Sequence, residues 1–135
     1  MKFYDCATAP SPRRVRIFLA EKGLTLTVPT VQVDLRNGEQ FTPAFRALNP
    51  VCMVPVLELD SGAAITDIIA ICRYFEELRP DPHLMGRSAE ERAVIERSAG
   101  MLQCTCCGVG GSLSNFLSKR MVLRTAHDCQ HVSRN

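Results

Sequence analysis

A proline placed directly before a short apolar run constrains this chain more than any other feature. Residues 49–77 read NPVCMVPVLELDSGAAITDIIAICRYFEE. Pro55 precedes Val56-Leu57-Glu58-Leu59. A turn follows at Asp60-Ser61-Gly62, then a brief strand through Ala64-Ile65, then a helix opening at Thr66-Asp67. Proline has no N–H to donate to a sheet ladder, so Pro55 is expected as the first residue of a strand and not its middle. An X-Pro bond is also one of the few places where a cis peptide is accessible. A cis Val54–Pro55 bond would turn the Val54 main chain outward, free to pair with an extended ligand as a strand would.

The segments around this motif have equally local reasons. Lys2 to Asp5 reads as a short strand, because Phe3 and Tyr4 favour β structure. Ser11-Pro12 is a helix start, with serine as N-cap and proline at the first helical position. Val15, Phe18, Leu19 and Lys22 follow at helical spacing, and Gly23 is a natural stop. Thr27 to Val33 is rich in β-branched residues and reads as a strand. Arg36 to Glu39 is a turn, and Pro43 to Leu48 a short helix ended by Asn49-Pro50. Thr66 is expected to cap the next helix, whose buried stripe is Ile68, Ile71, Cys72, Phe75 and Leu78. Arg79 to Pro82 reads as a linker. Ser88 and Glu91 then form a capping box for one more helix, with Ala93, Val94 and Met101 on its inner side.

The order is β-α-β-α-β-β-α, then the start of a helical region. This is an α/β class chain. A βαβ unit joined to a β-hairpin and a final helix is the thioredoxin-like arrangement. The expected division is a folded domain over 1–80, a linker and first helix over 81–99, and an irregular Cys/Gly-rich tail over 100–135.

Composition narrows the function. The 135 residues leave room for one average domain, or a small one plus a fragment. Residues 1–97 carry twelve Lys/Arg and thirteen Asp/Glu, a net charge of −1; residues 98–135 carry four and one, a net charge of +3. Neither part demands nucleic acid. No window approaches the roughly 20 apolar residues that span a bilayer, so no membrane partner is expected. The seven cysteines are irregularly spaced and resemble no secreted disulfide framework, which points to the cytoplasm.

Three separated blocks carry a family likeness. They are YDxxxxPSPRRVRIFLAEKG, NPxxxVPVLELxxG and TDxxAICRYFEELxPxPxLxG. In order and spacing they resemble the amino-terminal domain of cytosolic glutathione transferases, in the bacterial, theta-like branch, over roughly residues 1–99. The resemblance implies a thioredoxin-like glutathione-binding domain followed by an all-helical domain that supplies an electrophile pocket. It also implies glutathione as co-substrate with no further cofactor, a small electrophile as second substrate, and a homodimer. Relatives conjugate the thiolate of glutathione to electrophiles, and some act as isomerases, dehalogenases or peroxidases.

That chemistry needs a thiolate at neutral pH, because the thiolate is the nucleophile. A helix N-terminus helps through its free N–H groups and partial positive charge, worth on the order of 0.3–1 kcal/mol. The family usually adds a hydroxyl or thiol before that helix. Ser11 is the nearest hydroxyl, and it reads equally as a cap that touches no ligand. Counting back from Val15, the theta-like catalytic serine falls at Ala9, which cannot donate. Thr8 is a further candidate; Cys6 lies too early.

The likeness also places the peptide of glutathione along Val54 and Pro55, and Gln40 where relatives hold the glycyl carboxylate. Relatives carry Glu-Ser at the next helix start, against Asp67-Ile68 here. Asp67 keeps the acid for the γ-glutamyl end, or simply favours the helix dipole. Ile68 keeps only its main-chain N–H. The lost hydroxyl should cost about 1.5–3 kcal/mol, or roughly ten- to hundredfold in affinity.

From about Ser98 the pattern changes. Gly100, Gly108, Gly110 and Gly111 interrupt it, and nothing there matches the family's helical domain. Truncation or a frameshift is the expected cause, with weak glutathione binding, little conjugation, and dimers or aggregates as consequences. Two other readings stand beside this one. The first is a non-catalytic thioredoxin-like module that uses the same Val54 edge for a peptide. The second is a zinc site built from Cys104, Cys106, Cys107, His127, Cys129 and His131. Their spacing departs from the usual C-x₂₋₄-C, so no metal is assigned.

Overall fold

The computed structural model describes residues 1–25 and 27–108, with side chains as far as residue 100. Four strands form one sheet: β1 (Lys2–Asp5), β2 (Thr30–Gln32), β3 (Val56–Glu58) and β4 (Ala64–Ile65). Their order across the sheet is β2-β1-β3-β4. β1 runs parallel to β2, which the helical crossover α1 (Pro10–Glu21) makes possible, and antiparallel to β3. β3 and β4 form an antiparallel pair. The helices α2 (Pro43–Leu48), α3 (Ile68–Leu78) and α4 (Ala89–Gly108) complete the described chain. This is the thioredoxin-like α/β order expected from the sequence.

The two faces of the sheet follow from strand alternation. Phe3 pairs with Leu57, and Tyr4 with Val56. Tyr4 and Val56 face α2, where the Tyr4 and Phe45 rings meet edge-on at 6.0 Å. Cys6, Val33, Phe45, Val54 and Val56 form the core on this side. Phe3, Leu57 and Asp5 turn the other way, toward α1, whose Arg16 meets Asp5. α1 and α3 pack on each other and bury Val15, Phe18, Leu19, Ile68, Ile71 and Phe75. Each large apolar side chain so buried contributes about 1.5–3 kcal/mol.

Several element ends differ from expectation. α1 begins at Pro10, with Ala9 as its N-cap, so Ser11 is already inside the helix. Both prolines suit a first turn, and the chain uses the earlier one. β2 is shorter than the β-branched run because Thr27 is held in a turn by its bonds to the Leu24 carbonyl, and Pro29 has no N–H to pair. α3 is capped by Asp67, not Thr66. Leu78 and Val94 are exposed, while Glu76 takes a buried place on α3.

Other ends form as the residues require. α1 closes in a Schellman motif: Leu24 N–H donates to Leu19 O at 2.8 Å and Gly23 N–H to Ala20 O at 3.0 Å. Gly23 takes the positive φ of 66° that this stop demands. Lys22 is buried there, and its ammonium meets the carbonyls of Arg79, Pro80 and Pro82 and the Glu76 carboxylate. A buried charge is tolerable only with such partners. At α4, Ser88 and Glu91 make the expected capping box.

The chain divides into two units between Pro82 and His83. Among the described residues, no helix is long and apolar enough to cross a membrane. Cys6, Cys52 and Cys72 are free thiols. The cysteines and histidines of the zinc reading lie outside the described side chains.

Candidate functional site

Val54 sits just before β3, an interior strand between β1 and β4, and the Val54–Pro55 peptide is cis. Val54 is only 9% exposed, and Pro55 beside it is buried. Among the described residues, no hydrogen bond reaches the Val54 main chain. Its N–H and C=O are thus open to a ligand or water. The loop that delivers Val54 is held by Asn49, a residue that the sequence reading treated only as a helix stop. Asn49 is 2% exposed. Its amide donates to Met53 O at 2.8 Å and accepts from Val51 N–H at 3.1 Å. Cys52, at φ 58°, gives the loop its reversal. An Asn-Pro pair just before a strand-opening proline was the available signal.

The start of α1 is unusually bare. Of the four N–H groups that a helix start leaves unpaired, Pro10 and Pro12 supply none. Ala9 N–H donates to Cys6 O at 3.0 Å, and no side chain caps the helix. That leaves Ser11 N–H, with the half-buried Ser11 hydroxyl beside it. Ser11 is therefore not a cap, and its donors are uncommitted among the described hydrogen bonds. Thr8 is exposed, and its hydroxyl stands 3.5 Å from Cys6 Sγ. That hydroxyl first, with main-chain donors of Thr8, Ala9 and Leu35, holds the Cys6 thiol below its ordinary pKa against the opposing effect of burial.

The loop before α1 is fixed from outside. Ala7 N–H donates to Gln32 Oε1 at 3.0 Å, and Ala7 O accepts from Arg16 Nη2 at 3.1 Å. Arg16 and Gln32 both also bind Asp5 Oδ2, at 2.9 and 3.0 Å. The sequence reading missed this set, because it depends on the pairing of Asp5 with Gln32 across β1 and β2.

The start of α3 is arranged differently. Asp67 Oδ1 accepts from Ile69 N–H at 2.8 Å and Ala70 N–H at 3.0 Å. The acid expected at the γ-glutamyl end is thus also the helix cap. Ile68 buries its side chain, and its N–H appears in no described hydrogen bond. Gln40 lies in a 3-10 turn (Glu39–Phe41). Its Nε2 reaches Leu35 O at a long 3.5 Å, and its buried Oε1 has no partner. Beneath α3, burial pushes the Cys72 thiol up to about 12, so it stays protonated and inert.

A four-stranded sheet in the order β2-β1-β3-β4, with a cis-proline before β3 and helices α1 and α3 packed together, defines a thioredoxin-like domain. Comparison with known proteins gives the family. The profile described as glutathione S-transferase, N-terminal domain, matches residues 8–78. The chain belongs to this family and carries its amino-terminal domain. Glutathione S-transferase 2 of Saccharomyces cerevisiae is 43% identical over 95 residues, which is 70% of this chain and 41% of that protein. Maleylacetoacetate isomerase of Pseudomonas aeruginosa is 38% identical over 132 residues, covering 98% of this chain and 60% of the relative. Among solved structures, a glutathione S-transferase domain-containing protein of Marinobacter aquaeolei superposes with a TM-score of 0.73 at 48% identity. That match covers 76% of this chain and 50% of the other.

The chain thus spans 41% and 60% of the lengths of these two relatives. The theta-like placement is corrected: the relatives found include zeta-class transferases, maleylacetoacetate isomerases and the yeast protein Gtt2. The Pseudomonas match runs well past residue 99, into the part that the sequence analysis left without a family likeness.

Proposed function

We propose that residues 1–82 bind glutathione and activate its thiol. In this reading the cysteinyl main chain pairs with Val54 N–H and C=O as an added strand. The γ-glutamyl end lies at α3, on Asp67 and the Ile68 N–H, and the glycyl carboxylate meets the Gln40 amide. The thiol lies at the start of α1, with the Ser11 N–H and hydroxyl as donors and Thr8 as the more distant alternative. A helix start favours an anion through its N–H groups and its dipole, and a thiolate is such an anion.

The observation that carries this reading is the main chain of Val54, which no described hydrogen bond reaches, next to the cis Pro55. The partner reaction is proposed from the relatives' names. Conjugation of the thiolate to a small electrophile is one outcome. Two kinds of relatives are named as isomerases of maleyl compounds. Thiolate addition to an electron-poor double bond, rotation, and loss of the same thiolate would isomerise such a substrate without net change in glutathione. Self-association is also expected, supported by the exposed side chains of Phe41, Val51 and Met53.

The test is a glutathione titration followed by backbone NMR shifts. Shifts at Val54, Ser11, Ile68 and Gln40 with millimolar or tighter affinity are expected. No shift at Val54 at saturating ligand would falsify the reading and favour a module for some other extended peptide. Light scattering checks the association; a monomer at high concentration would count against it.

A further inference from the structure

We propose that Asp5, Arg16 and Gln32 are positioning residues that set how readily the bound thiol ionises, by holding the Ala7 main chain in front of α1. This rests on the glutathione reading above. Ala7 is an exposed loop residue, and main-chain groups in such a place ordinarily bond water. Here both of its main-chain polar groups, on two successive peptide units, bond protein: the N–H to Gln32 Oε1 at 3.0 Å, and the C=O to Arg16 Nη2 at 3.1 Å. Both partners converge on one oxygen, Asp5 Oδ2, at 2.9 and 3.0 Å. Asp5 is 2% exposed, so the anchor point is rigid and out of solvent.

The need for such a clamp follows from the helix start itself. Ala9 has no side chain to cap α1, and Pro10 and Pro12 supply no N–H. The chain from Ala7 makes a single turn, closed by Ala9 N–H to Cys6 O, and enters the helix. The bonds of Ala7 to Gln32 and Arg16 fix the chain that leads into this turn, and with it the entry to the helix that carries Ser11 N–H. Arg16 lies on α1, Asp5 on β1 and Gln32 on β2, so the three side chains tie loop, helix and sheet together. A hydrogen bond to a thiolate weakens steeply with misalignment. Releasing Ala7 should therefore raise the thiol pKa without touching the groups that hold the peptide part of the ligand.

Gln32→Leu is the sharpest probe, because Gln32 is exposed and contributes nothing to the core. Three readouts are combined. In the ligand-free protein, exchange of the Ala7 amide should quicken by roughly tenfold, reflecting one lost bond. The ionisation constant of bound glutathione, read from thiolate absorbance in the ultraviolet, should fall about three- to tenfold. Affinity for S-methylglutathione, which has no thiol to ionise, should change by less than about twofold.

A released Ala7 amide with an unchanged thiolate titration overturns the proposal, since the clamp would then serve the fold alone. An unchanged Ala7 amide overturns it at the geometry. Weakened S-methylglutathione binding in step with the thiolate loss also overturns it, by showing a general defect. If Ala7 responds but the wild-type protein takes up no glutathione, the glutathione reading fails and this inference with it. Arg16→Lys carries the same test should Gln32→Leu fold poorly. It keeps a charge against Asp5 but offers one ammonium to two separated acceptors, and the same direction of shift is expected.

Discussion

The starts of α1 and α3 solve the same problem in opposite ways. α3 satisfies its own first turn: Asp67 takes the Ile69 and Ala70 N–H groups with one oxygen. α1 leaves its first turn unsatisfied by side chains, with alanine at the cap and two prolines thinning out the donors. A helix start that only stabilised the fold would look like α3. One that leaves a donor unspent gives up roughly 0.5–2 kcal/mol of capping energy. That sacrifice makes sense if something outside the chain takes the donor. In the proposed glutathione reading this is a division of labour: α1 would face the reacting atom, while α3, already capped, would meet the ligand's far end.

The largest test of this contrast lies under α3. If that side is sealed, Cys72 keeps its proton to about pH 12 in the folded state, against about 8.5 when unfolded. The unfolded state then binds fewer protons above that lower value. Stability must fall as pH rises from about 9 toward 12, by roughly 1.4 kcal/mol per unit. Urea melts at stepped alkaline pH would show the slope, and Cys72→Ala should flatten this part of it. An equally steep curve in the variant would mean that Cys72 is not the sealed group. In the native protein at neutral pH, Cys72 should also resist alkylation that labels the partly exposed Cys52.

Next in size is the cap itself. Asp67→Ala should cost about 1 kcal/mol, within a range of 0.5–2, and lower the thermal midpoint. Asp67→Asn retains a capping oxygen and should cost only a few tenths. If Asp67 also meets the γ-glutamyl amino group, Asp67→Asn weakens glutathione binding while sparing stability. Equal losses of stability and affinity across both variants would reduce Asp67 to a cap.

How much of this was legible depends on how local each cause is. Gly23 ending α1 and the Ser88–Glu91 capping box are written within a few residues and form as read, and the strand expected from Pro55 begins one residue later, at Val56. The stripe on α3 was legible except at its end, where Leu78 is exposed and Glu76 is drawn in by the Lys22 ammonium. Lys22 already falls on the helical stripe of α1, but its carbonyl partners come from residues 79–82, which periodicity cannot show. At the α1 start, Ala9-Pro10-Ser11-Pro12 offers two prolines that fit the first position equally well. Only the closing bond from Ala9 to Cys6 settles the register. The Ala7 clamp was hidden for a different reason: it needs the Asp5–Gln32 strand pairing before any of its bonds exist.

The smallest expected effect is the most pointed, because it tries to turn α1 into α3. Ala9→Ser places a capping oxygen at the α1 N-cap. A cap accepts from the N–H two or three residues on, and at this helix those are Ser11 and Pro12. Proline has nothing to give, so the new hydroxyl must take the Ser11 N–H. Stability should rise by about 0.5–1 kcal/mol, seen as a higher thermal midpoint. The donor that the ligand would have used is then shared, and the stabilised protein should bind glutathione no more tightly than before. Ser11→Ala supplies the control: it removes the hydroxyl but keeps the N–H, so stability should stay within about 0.5 kcal/mol while the thiolate fraction of bound glutathione falls. A serine at position 9 that left stability unchanged and sharpened thiol ionisation would reverse the assignment. Position 9, and not Ser11, would then be where this helix start meets the sulfur.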